Sequence, residues 1–272
     1  MSEAVFIHSS GIADRQAGEA YLLKFACMIA VCVLLATHAS AGELPSYTET
    51  AKPEASECEP DTPAYQAIRG CSNLLGSPDT DPQMRIRIYT MRGYAWLKEE
   101  EPLAAVSDFS RAIQLDASNA SAIKGRARAF EILKQYGDAI EDWTRLIAAK
   151  PSEPENYRER AYTYHLNGNY KLAVADFTTV LKLDENNIDS WIGRANAYDA
   201  LDKIPEALAD FEGAIKVDAK YPAVFTARAE MWDRRGENLK AIADYQESLR
   251  LNSINLKVRQ ALQRLGISHP YP

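Results

Sequence analysis

The sequence predicts an all-α protein, a right-handed superhelical solenoid of helix-turn-helix repeats. Three observations carry that expectation. The same apolar pattern returns every 34 residues from 86 to 255 without an insertion, in copies that start at Ile86, Ala120, Pro154, Ile188 and Pro222. Each copy holds two helical faces separated by turn formers such as Pro102, Gly168, Pro205 and Gly236. One such helix pair cannot bury its apolar face alone, so the pairs must stack, giving about twelve helices with a cap at either end.

The faces are explicit. Position 4 of the copies reads Tyr89, Ile123, Tyr157, Trp191, Phe225, position 8 reads Gly93, Ala127, Ala161, Ala195, Ala229, and position 11 reads Trp96, Phe130, Tyr164, Tyr198, Trp232. These share one side of a first helix, A. On a second helix, B, position 20 is alanine five times (Ala105, Ala139, Ala173, Ala207, Ala241) and position 24 reads Phe109, Trp143, Phe177, Phe211, Tyr245. Small residues let the two helices approach closely, and the aromatics fill the space beside them.

The elements around the array follow in order. Lys24, the apolar run Phe25 to Ala36 and the A-x-A site Ala39–Ala41 predict a signal peptide over 1–41, with a retained membrane anchor as the alternative. Residues 42–62 read as a flexible linker. Residues 63–85 read as a capping half-repeat, in which Ala67, Cys71 and Leu74 stand like positions 20, 24 and 27. The copies occupy 86–119, 120–153, 154–187, 188–221 and 222–255. Residues 256–272 hold a capping helix, with Ala261, Leu262 and Leu265 inward and Lys257, Arg259 and Arg264 outward, followed by a short tail. Export would leave Cys58 and Cys71 in an oxidising compartment, where a disulfide is expected; two free thiols are the alternative.

Two charged series keep the same period. Position 7 is arginine (Arg92, Arg126, Arg160, Arg194, Arg228) and position 23 is aspartate (Asp108, Asp142, Asp176, Asp210, Asp244). A guanidinium pairs a carboxylate through two parallel bonds, so the series predict a structural ladder between helices A and B. An anion-binding row is the alternative.

The pattern resembles the tetratricopeptide repeat family over residues 86–255, and within it the arginine-at-7, aspartate-at-23 class. It departs from the family in the arginine at position 7, commonly leucine, and in position 32, which is proline only at Pro151. The resemblance implies a concave groove lined by helix A positions 2, 5, 9 and 12. Carried onto this chain, Arg87, Lys124, Arg128 and Arg158 make the N-terminal half of the groove basic, interleaved with Tyr94 and Tyr162. Asp189, Asp199, Glu230 and Asp233 make the other half acidic. The basic half is the expected peptide-binding site, suited to an acidic or C-terminal segment.

Catalysis is not expected. The chain past residue 41 holds only His165 and His269, and no H-E-x-x-H, P-loop, nucleophile elbow or G-x-G-x-x-G occurs. No metal or other cofactor is implied. The net charge of −7 argues against nucleic acid as partner. The sequence therefore points to an exported interaction scaffold, periplasmic or secreted, with a protein or peptide partner. A non-catalytic accessory subunit of an envelope enzyme or export complex, and a self-assembling structural protein, are the alternatives. The oligomeric state stays open.

Overall fold

The computed structural model describes residues 58–59 and 61–267, so the expected signal peptide, most of the linker and His269 lie outside the described residues. Twelve helices and no strand occur among the described residues: α1 Ala64–Gly76, α2 Pro82–Lys98, α3 Pro102–Leu115, α4 Ala120–Ile132, α5 Tyr136–Ala149, α6 Pro154–Leu166, α7 Tyr170–Leu183, α8 Ile188–Ala200, α9 Ile204–Val217, α10 Pro222–Arg234, α11 Asn238–Leu251 and α12 Leu256–Arg264. The helices α2 to α11 form five A–B pairs. Each A helix packs on its own B helix and on the B helix before it. In addition, α2 touches α4, α6 touches α8 and α8 touches α10, while successive B helices make no comparable contact among the described residues. The A helices therefore line the inner face of a helical solenoid.

The aromatic at position 24 locks one repeat to the next. Phe109 is fully buried between α2 and α4. A Cβ built on Gly125 would sit 2.3 Å from the Phe109 ring, and one on Gly193 would sit 2.4 Å from Phe177. At both places the aromatic of one repeat lies directly on the helix A backbone of the following repeat. That contact is the small-against-large logic of the pattern, extended across the repeat boundary.

Both turns of the repeat are set by local chemistry. At position 15, between A and B, the backbone is left-handed in every copy: Gly168 and Gly236, but also Glu100, Lys134 and Asp202, with φ between 57° and 76°. Only the two glycines are legible as breakers; at the other three the next residue's amide closes the helix end, Glu101 on the Trp96 carbonyl, Gln135 on Phe130 and Lys203 on Tyr198. At the B-to-A turn, Asp116 accepts from the Ser118 amide, Asp184 from Asn186 and Asp218 from Lys220. These Asx turns stand beside position 32, where the related repeats carry proline, and Pro151 occupies it in the one copy whose position 31 is lysine, Lys150. Asn119, Asn187 and Asn255 then cap the next A helix through their side-chain oxygens.

The ends differ from the repeats. Helix α1 serves as a lone B helix with Ala67 and Cys71 buried, and Arg85 fastens the α1–α2 loop by donating to the carbonyls of Thr80, Leu75 and Ser77. Cys58, inside the expected linker, is itself buried against Cys71 and Ile88. At the other end α12 buries Val258 and Leu262, and Leu262 stands where the ladder arginine would be. No following B helix offers an aspartate there among the described residues, so an apolar side chain replaces the cation. Arg259, expected to point outward, is half-buried and donates to the Ser253 carbonyl across the preceding loop.

Candidate functional site

The ladder residues meet in pairs. Each position 7 arginine donates through Nε and Nη2 to both carboxylate oxygens of its own repeat's position 23 aspartate, at 2.7 to 2.9 Å, from Arg92–Asp108 through to Arg228–Asp244. The third nitrogen reaches backward. Nη1 of Arg126, Arg160 and Arg194 donates to the hydroxyl of Ser110, Thr144 and Thr178 on the preceding B helix, and that of Arg92 donates to Ser72 of the cap. Ser72 lies 20 residues before Arg92, whereas Ser110 lies 16 before Arg126, so the cap helix keeps the rung across a longer loop. In the last repeat Glu212 occupies the hydroxyl's place. The Asp244 hydrogen bond raises the Arg228 pKa, and the Glu212 charge adds to the rise. Each guanidinium also sits over an aromatic, as Arg194 does over Trp191 at 5.0 Å. The first four rungs thus each hydrogen-bond three helices together, and the fifth bonds two. With both oxygens of each aspartate bonded inside the stack, the arginines do not form an open anion-binding row.

The six expected groove residues lie on the A helices and are partly committed to one another's neighbours. Lys124 pairs with Glu155 at 2.8 Å and Arg158 with Glu159 at 3.1 Å. Tyr94 donates to the Ser121 carbonyl at 2.8 Å and Tyr162 to the Asp189 carbonyl at 3.0 Å, each tying its A helix to the next. Their rings meet Phe109 and Phe177 edge-on at 5.0 Å. Burial and the Asp189 charge push the Tyr162 hydroxyl up to about 12. The two tyrosines are therefore struts first. Arg87 and Arg128 are exposed, and no hydrogen bond or ion pair among the described residues holds either. The basic half is charge-mixed, because Glu155 and Glu131, in groove rows 2 and 12, and Glu159 beside them stand among its cations.

Glu131 was not among the expected site residues. It accepts from Trp143 Nε1 at 2.9 Å and from the Thr163 hydroxyl of the next repeat. Burial raises its pKa above the usual 4.5, with Glu159 adding to the rise. Asp233 repeats the arrangement by accepting from the Tyr245 hydroxyl. The legible signal runs from the aromatic: both copies with a hydrogen-bonding ring at position 24, Trp143 and Tyr245, carry an acid at position 12, whereas the phenylalanine copies carry Leu97, His165 and Asp199 there.

The acidic half is also changed by its neighbours. Asp199 pairs with Arg234 at 2.7 Å and with Arg235 at 2.9 Å, Glu230 pairs with Lys257 at 2.7 Å, and Asp233 pairs with Arg264. Asp189 accepts from the Tyr221 hydroxyl at 3.0 Å. The cations come from the end of α10, outside the four rows expected to line the groove, and from the capping helix, where Lys257 and Arg264 continue rows 2 and 9 past the fifth copy. Two cavities open here. One of 710 Å³ is lined by His165, Tyr170, Asn196, Asp199 and Arg235, the other of 460 Å³ by Tyr245, Lys257 and Arg264, and Glu230 and Arg234 line both. Burial, with the Arg234 charge, lowers the His165 pKa. Among the described residues no group of three or more His, Cys, Asp or Glu side chains is arranged to hold a metal, and no helix is long and apolar enough to cross a membrane.

Cys58 and Cys71 face each other at the N-terminal cap, with Cα atoms 4.8 Å apart, inside the span a disulfide bridges.

The tetratricopeptide repeat family model matches residues 90–154, 125–188 and 192–253. Among solved structures, a thermophilic tetratricopeptide repeat protein of Thermus thermophilus superposes with a TM-score of 0.55 at 19% identity, over 69% of this chain and 100% of that one. A MamA fragment from Desulfovibrio magneticus RS-1 gives 0.53 at 16% identity, over 58% and 87%. YrrB, described as a tetratricopeptide repeat protein with an unusual peptide-binding site, gives 0.51 at 15% identity, over 72% and 100%. At these identities the likeness is one of fold. No curated protein matches the sequence.

Proposed function

The chain belongs to the tetratricopeptide repeat family, a family of protein-interaction scaffolds, and from that premise we propose that it is an exported, non-catalytic scaffold that holds an extended segment of a partner protein in the groove of its A helices. One observation carries the reading. The ladder and the position 20 alanine are identical in all five repeats and the other core positions keep their size, small at 8 and large at 4, 11 and 24, whereas groove position 9 runs Tyr94, Arg128, Tyr162, Asn196, Glu230 and position 12 runs Leu97, Glu131, His165, Asp199, Asp233. A uniform framework that displays a different side chain at each step is suited to recognising a particular segment.

Affinity capture from the envelope fraction tests it. The wild type is compared with a variant carrying Arg128→Ala, Asn196→Ala and Arg234→Ala, one change in each third of the groove, after circular dichroism has matched their helix content. A partner held by the wild type and lost from the variant supports the groove. Equal capture by both moves binding elsewhere and overturns it.

Export rests on the apolar run Phe25 to Ala36 and the A-x-A site that follows it. The mature chain should begin at Gly42, and Cys58 and Cys71 should resist alkylation until reductant is added. An N-terminus at Met1 with both thiols free would exclude this localisation.

A further inference from the structure

Resting on the groove reading above, we propose that the C-terminal end of the groove, and not its N-terminal half, receives an acidic stretch of the partner, read by Arg234, Lys257 and Arg264. The one-letter rows suggest the reverse, since the acidic residues of the groove cluster at this end. Depth decides the sign. Arg234, Lys257 and Arg264 have side chains 55%, 79% and 67% exposed, whereas their partners Asp199, Glu230 and Asp233 are 9%, 32% and 18% exposed. The carboxylates form a lower layer and the cations an upper one. An incoming group meets the cations at shorter range and across less water than it meets the acids, so the potential at the mouth is set by the cations. At the other end the Lys124 side chain is 27% exposed against 38% for Glu155, so in that pair the cation is not the outer member.

The donors also remain available. A guanidinium carries five N–H groups, and the ion pairs of Arg234 and Arg264 engage one nitrogen each, Nη2 toward Asp199 and Nη2 toward Asp233. The two cavities meet at Glu230 and Arg234 and together run from His165 on α6 to Arg264 on α12. Three cations spread along that cleft match carboxylates spaced along an extended chain, in which alternate side chains face the same way. The capping helix then has a second role: besides closing the core with Val258 and Leu262, it supplies two of the three cations.

Fluorescence anisotropy tests the site on the full mature chain. The probe is a short labelled peptide of alternating Ser and Glu with an amidated C-terminus, compared with its Gln counterpart amidated and with a free terminus. The wild type should bind the Glu probe roughly tenfold more tightly than the amidated Gln probe, a preference that falls as salt rises. Lys257→Ala/Arg264→Ala should remove the preference, and Lys124→Ala/Arg128→Ala should keep it. Because the first pair of changes also loosens α12, Arg234→Gln is the second variant: Asp199 keeps Arg235, so melting should hold while Glu-probe affinity drops several-fold. Equal affinity of the wild type for Glu and Gln probes overturns the inference, as does a preference that survives both C-terminal variants. A preference lost only from the Lys124/Arg128 variant overturns it in favour of the other end. Tight binding of the free-terminus Gln probe overturns the assignment to acidic side chains. In each of these cases partner capture that still depends on the groove leaves the scaffold reading standing.

Discussion

Two sets of ion pairs in this molecule have nearly the same length and quite different surroundings. The rungs, such as Arg160–Asp176, close at 2.7 Å, as do Arg234–Asp199 and Lys257–Glu230 in the groove. The rung aspartates are 4% to 8% exposed, their arginines lie over aromatics, and both carboxylate oxygens are bonded. The groove cations reach into solvent. Distance alone therefore says little about energy. A buried partner left behind by mutation has no water to turn to, whereas an exposed one is resolvated at once. The rungs hold the stack, and the groove pairs are free to exchange partners.

The sharpest way to break this comparison is to remove one side of a rung. Asp176→Ala leaves the Arg160 guanidinium without its carboxylate between two helices, and urea unfolding should show a loss of about 3 kcal/mol or more. Replacing both partners, as in Arg160→Leu/Asp176→Leu, should recover most of that loss, because no charge is then stranded. A single variant as stable as the wild type would show that the rungs are no more than groove pairs in another place.

The rungs were legible because arginine and aspartate return with the same period, and any pair of series locked in phase must meet at a fixed place in the stack. The core positions were legible for the same reason. What the rows of letters hid is where that reasoning stops. The partner of Asp199 lies 35 residues away, in Arg234 at position 13, outside the four rows taken to face the groove. Lys257 and Arg264 belong to a helix that reads as a cap and only incidentally as groove wall. The left-handed backbone at Glu100, Lys134 and Asp202 left no glycine to mark it. For the ion pairs the determining contact comes from how one repeat sits on the next, and at the turn it is backbone bonding within a repeat that no side chain marks.

A smaller effect sharpens the comparison at Glu131, which belongs to neither set: it lies in a groove row and is half-buried, with hydrogen bonds in place of a cation. Burial raises its folded pKa above 4.5. Such a carboxyl favours the folded state while protonated, and that contribution is lost as pH rises through the folded pKa. Glu131→Gln keeps an oxygen to accept from Trp143 and Thr163 and carries no charge. The variant should match the wild type below pH 4.5 and become progressively the more stable of the two above it, in melts taken across pH. Parallel profiles would mean that the charge is already neutralised by a neighbour such as Arg128.

The smallest effect is expected where the comparison predicts almost none. Lys124 and Glu155 pair at 2.8 Å, but their side chains are 27% and 38% exposed. Each can return to water, and two flexible side chains give up freedom to stay together. Lys124→Ala should cost below about 1 kcal/mol in low salt. The remainder should disappear near 1 M salt, where the screening length falls to about 3 Å. Glu155 would then face Arg158 and Arg128, which, after Lys124 itself, lower its pKa by their charge, so the carboxylate keeps cationic company without the lysine. A loss from Lys124→Ala as large as that from Asp176→Ala, and unchanged by salt, would mean that the inner face of the solenoid is held as rigidly as its interior, leaving little freedom for the groove to accommodate a partner.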